Sequence, residues 1–79
     1  MFYLINIQYV NDGTKPSSLL AYETEKAVIS AYYSTLASNY VNDNLDFFSV
    51  SIMNEAGNIL MHDHRYKEVL PEFMTNSNN

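Results

Sequence analysis

A chain of 79 residues with no cysteine has neither disulfides nor thiolate metal sites to hold it together. At this length it buries only roughly 60% of its unfolded surface, so it needs an efficient core or self-association. Nine Asp and Glu against four Lys and Arg give a formal net charge of −5, which leaves no cationic footprint for nucleic acid.

The first ten residues, MFYLINIQYV, lack a basic leader and a small-residue cleavage site, and they read as a strand and not as a signal peptide. Tyr3, Ile5, Ile7 and Tyr9 alternate with Phe2, Leu4, Asn6, Gln8 and Val10. A period of two with β-branched and aromatic residues marks a strand over Phe2 to Val10. Both of its faces begin apolar, which predicts a central or doubly covered position. Asp12-Gly13 then supplies a turn, and Pro16 keeps the strand from simply continuing. Ser17 to Glu23 reads as a short second strand or an irregular lead-in to a helix.

Thr24 is the expected N-cap, with Glu25 placed to suit the helix dipole and Tyr22 near enough to pack over the first turn. The helix should run from about Glu25 to about Tyr40, ended by Asn39 or Asn42 in a left-handed conformation. Its central feature is the uncharged stretch AVISAYYSTLASNYVN, from Ala27 to Asn42. At 100° per residue, Val28, Ile29, Tyr32, Tyr33, Leu36 and Tyr40 form the side that should meet a sheet. The opposite side carries Ala27, Ser30, Ala31, Ser34 and Ser38. Solvent-facing helix positions normally carry Lys, Glu, Gln or Arg. A side made only of small uncharged residues instead lets a second backbone approach, so these five are the expected contacts of a homo-oligomer. The alternative is an exposed helix that is simply rich in Ser and Ala.

Leu45 to Met53 forms the next expected strand, Asn54 to Asn58 a hairpin connection with Gly57 left-handed, and Ile59 to Tyr66 the return strand. Leu60, His62, His64 and Tyr66 are expected on one face of it. The predicted fold is α+β: one helix across a small antiparallel sheet, in the order β-β-α-β-β, forming a single domain over residues 1–73 with a disordered tail at 74–79.

Little in the chain suggests catalysis. There is no Gly-rich phosphate loop, no nucleophile elbow and no Ser–His–acid arrangement, and the carboxylates Asp43, Asp46, Glu55, Glu68 and Glu72 fall mostly in loops. No enzyme activity and no cofactor are expected. His62 and His64 project from one strand face about 7 Å apart and could present two imidazoles to a metal. A closed site needs more ligands and there is no third His. No metal site is therefore assigned, and His62 and His64 are the residues to hold one if it binds. Seven Tyr and no Trp suit either an interface or the edge of a small core. Tyr33, Tyr40, Asp43 and Asp46 are the expected contacts for a basic protein partner.

The order of parts also carries a resemblance. A YLINIQY strand leads to an AYETEKAVISAYYSTLASN segment, then to an FSVSIMNEAGNIL hairpin and a polar tail. In this the chain resembles small uncharacterised accessory proteins encoded by phages and prophages of low-GC Gram-positive gut bacteria. The resemblance implies a setting, the cytoplasm of a bacterial host, and carries no functional residues with it. Two functions compete there. One is an acidic homo-oligomeric protein-binding module, such as an inhibitor of a host defence system acting on a basic host protein. The other is a small-molecule sponge for a signalling nucleotide, with inter-subunit pockets drawing on Lys15, Lys26, Arg65 and Lys67. A minor virion component is a third reading. Neither membrane association nor direct nucleic-acid binding is expected.

Overall fold

The computed structural model describes residues 1–67, so the expected tail and the candidate carboxylates Glu68 and Glu72 lie outside the described residues. The elements are β1 (Phe2–Val10), β2 (Ser17–Tyr22), α1 (Glu25–Tyr40), β3 (Leu45–Asn54) and β4 (Ile59–Tyr66). They build one helix on a four-stranded antiparallel sheet of order β2-β1-β3-β4. β1 is central, as its two apolar faces predict, and β2 is a true strand.

Local chemistry explains the joints. Gly13 sits at φ +93°, and the Asp12 carboxylate accepts from the Thr14 amide at 2.9 Å and the Thr14 hydroxyl at 2.6 Å. Pro16, which has no amide to donate, still accepts from the Gln8 amide through its carbonyl at 2.9 Å, so it does not interrupt the β1–β2 ladder. The Thr24 hydroxyl accepts from the Ala27 amide at 3.1 Å and starts α1. Gly57, at φ +87°, closes the β3–β4 hairpin by donating to the Asn54 carbonyl at 3.0 Å.

The end of α1 departs from expectation. Among the described residues none other than glycine has positive φ, so no left-handed Asn stops the helix. Val41 caps it in a right-handed conformation, and Asn42 turns its side chain to accept from the Asn44 amide at 3.0 Å. The last turn of α1 carries no basic residue of its own. Arg65 on β4 supplies the cation, donating to the Tyr40 carbonyl at 3.3 Å while its guanidinium lies 5.1 Å from the Phe48 ring centre.

The core lies between α1 and the sheet: Leu4, Val28, Tyr32, Leu36, Leu45, Phe48, Val50 and Ile52. Complete burial of side chains such as Phe48, Ile52 and Val28 contributes about 1.5–3 kcal/mol each. One polar group joins them. Asn39 is buried on α1, donating to the Asn6 side-chain oxygen at 2.9 Å and accepting from the Gln8 amide group at 2.8 Å. Asn39 thus fixes the helix to β1 instead of ending it. No described helix is long and apolar enough to cross a membrane.

Candidate functional site

A single α-helix is about 10 Å wide, whereas four strands spaced about 4.8 Å apart span about 19 Å. One helix can therefore cover only one face of this sheet. The pairing register shows what lies on the other face. Tyr3, Ile5, Ile7 and Tyr9 of β1 stand between Ala21, Leu19 and Ser17 of β2 and Met53, Ser51, Ser49 and Phe47 of β3. His62, His64 and Tyr66 of β4 continue these rows beyond β3. None of these positions carries a charge, in a chain whose net charge is −5. Large apolar groups here are open to solvent: Leu19 is 56% exposed and Tyr66 70%.

The open face has internal order. At one end Tyr9, Phe47 and Tyr66 form an aromatic row across three strands, with ring centres 4.9 and 4.6 Å apart, and the Lys15 ammonium lies 5.0 Å from the Tyr9 ring. Next to it on β4, His62 and His64 stack with ring centres 5.2 Å apart. His62 Nδ1 shares a hydrogen bond of 2.8 Å with the Ser51 hydroxyl, and its Nε2 lies 3.2 Å from His64 Nδ1. Asp63 points to the helix side. Its negative charge adds to burial, the larger cause, in raising the Tyr32 phenol above its ordinary pKa.

The helix side of the molecule offers less. Ala27, Ser30, Ser34 and Ser38 are exposed, whereas Ala31, expected beside them, packs partly into the core. Tyr33 and Tyr40, expected to face the sheet, stand at its edge at 56% and 43% exposure. They remain attached by edge-to-face contacts with Tyr32 and Phe48. Asp43 and Asp46 are exposed near the C-terminal end of α1. Leu60 does not share the histidine face. A register shift between Ile52 and Met53 pairs Ile59 with Met53. Leu60 instead joins Phe2, Val28, Ile29 and Met61, which with Glu25 line an apolar groove of about 250 Å³ beside α1.

Among the described residues no group of three or more His, Asp or Glu is placed to hold a metal. The cations do not converge either: Arg65 and Lys67 donate to the backbone carbonyls of Tyr40 and Asp43, and Lys15 lies over Tyr9.

The open face was not singled out by reasoning from the helix pattern. Its signal was nevertheless in the strands, as alternate positions of β1, β3 and β4 free of charge and rich in rings. No protein-family model matches the chain, and comparisons with curated proteins and with solved structures found no significant match.

Proposed function

We propose that this chain is a small homo-oligomeric binding protein that acts by protein–protein contact, with the open face of its sheet as the contact surface and a second copy of the chain as the occupant. The observation that carries the reading is the absence of charged residues from the strand positions of that face, whose edge the Lys15 ammonium reaches over Tyr9, while the acidic groups of the described chain lie off those positions. Two acidic chains meet there without opposing charges. The face measures about 19 by 25 Å, so two copies pressed together would bury roughly 1,000 Å² in total, the size at which specific interfaces begin.

The phage or mobile-element setting and an inhibitory role against a basic host protein belong to the same proposal. In that picture the carboxylates that remain exposed after association, Asp43 and Asp46 among them, supply the acidic surface. The signalling-nucleotide reading has less support, because a phosphate needs convergent cations and two of the four are tied to backbone carbonyls.

Light scattering coupled to size exclusion at tens of micromolar tests this reading. The expected mass is about twice the 9.1 kDa of the single chain. Ile7→Lys, which places a charge on the central strand of the face, should return the mass to the single chain, and Ser34→Lys on the outer side of α1 should leave it unchanged. A parent chain that runs as a clean monomer, or an oligomer broken by Ser34→Lys and not by Ile7→Lys, would overturn it.

A further inference from the structure

The imidazole pair on β4 has a geometry that packing alone does not require. His62 Nε2 and His64 Nδ1 are 3.2 Å apart on an exposed edge strand, with both rings accessible from the open face. We propose that His62 and His64 form a two-imidazole chelate for a divalent cation of the zinc, copper and nickel class, with Ser51 as the positioning residue for His62.

Distance is the first argument. Zinc binds imidazole nitrogen at about 2.0–2.1 Å, and a tetrahedral angle of about 109° sets two such nitrogens about 3.3 Å apart. The observed separation already matches this bite, so binding requires small ring rotations and no backbone movement. Alternate residues of one strand hold both side chains on the same face, which supplies the preorganisation.

The second argument is the support behind His62. Ser51 is only 8% exposed, so its hydroxyl is held firmly, and it meets His62 Nδ1 at 2.8 Å. When Nδ1–H donates to that hydroxyl, Nε2 carries the lone pair, which is the tautomer a metal needs. With His62 in that tautomer, the 3.2 Å contact of the metal-free pair is His64 Nδ1–H donating to His62 Nε2. On binding, the metal takes the place of this proton, which moves to the other ring nitrogen of His64, so the protons balance without net release.

The third argument is electrostatic. Two neutral imidazoles leave the cation its full charge, and a chain of net charge −5 tolerates that charge well. Asp63, between the two histidines in sequence, points to the opposite face and is not a ligand. Water completes the coordination while the face is open. Both ligands come from one chain but lie on the face through which two copies are proposed to associate, so zinc and association compete; mass reports association, and imidazole resonances report the metal, in the Ile7→Lys chain as well as in the parent.

The test is titration of the untagged full chain with zinc chloride, followed by calorimetry and by NMR of the imidazole carbon-bound protons. One zinc per chain, a dissociation constant in the micromolar range and concerted movement of both imidazoles are expected. His62→Ala and His64→Ala should each weaken binding at least tenfold and Ser51→Ala several-fold, with the far-UV spectrum of each variant unchanged. No heat and no imidazole movement up to millimolar zinc would overturn the proposal. Movement of one ring alone, or affinity unaltered in both histidine variants, would do the same.

Discussion

Phe47 and Phe48 are chain neighbours on β3 with opposite fates. Phe48 is wholly buried under α1, in edge-to-face contact with Tyr40 and beneath the Arg65 guanidinium. Phe47 stands on the open face, between Tyr9 and Tyr66, and is only half-buried. The same side chain therefore contributes to folding at one position and is available for contact at the next. Period-two alternation assigns the two roles, and a one-residue slip of β3 would exchange them. The two faces differ in kind: one is closed by a helix, with Asp63 and Arg65 on its β4 margin, and the other has no charged residue at its strand positions yet is closed by nothing within the described chain.

The largest effect that tests this contrast is on stability. Phe48→Ala should cost about 3–5 kcal/mol. A domain of this length has only about 4–12 kcal/mol in total, so the variant should be largely unfolded near 37 °C in urea or thermal melts. Phe47→Ala should cost the isolated chain about 1 kcal/mol, mainly lost ring–ring contact. Any further cost should grow with protein concentration, the signature of lost association. Equal, concentration-independent costs at both positions would break the contrast.

A middle-sized effect concerns the polar link in the closed face. Asn39→Ala leaves the Asn6 and Gln8 side chains without their partner beneath the helix and should cost about 1–3 kcal/mol. Its mark is locational: amide exchange should rise in the second half of α1 and in β1, while the β3–β4 hairpin stays protected. An increase spread evenly over the chain would mean that Asn39 does not fix the docking of α1.

How much of this the sequence disclosed follows from which patterns are local. The alternation in β1 and β3, the Thr24 cap and the two positive-φ glycines are set by neighbours in the chain, and the order β-β-α-β-β was legible from them. Asn39 was misjudged because a helix-terminating Asn and a buried Asn look alike until its partners, some 30 residues away, are in place. Tyr33 was misjudged for a related reason. A broad apolar arc on a helix does not say where the sheet beneath it ends, and Tyr33 lies past that edge. The candidate contact surfaces differ in legibility. The small residues of α1 recur at helical spacing within one stretch of chain, whereas the open face is assembled from alternate residues of four strands and becomes visible only once their register is known. The spacing of His62 and His64 was legible, but the Ser51 hydroxyl behind them was not, because it comes from across the ladder.

The smallest effect is electrostatic and lies in the β1–β2 turn. The Thr14 hydroxyl, and after it the Thr14 amide, lower the pKa of the Asp12 carboxyl below its ordinary value. A lowered folded-state value means that the unfolded chain binds more protons as the pH falls, so this contribution is present above the ordinary carboxylate range and is lost as pH drops through the folded value. Asp12→Ala should therefore lower the melting temperature slightly at neutral pH, and the difference from the parent should vanish in acid, once the pH falls below the lowered folded-state value. The group is fully exposed, so moderate salt should shrink the difference as well. If the difference persisted unchanged at low pH, the effect of Asp12 would come from the turn geometry that its side chain imposes, and the charge on its carboxylate would have no part in holding β2 against β1.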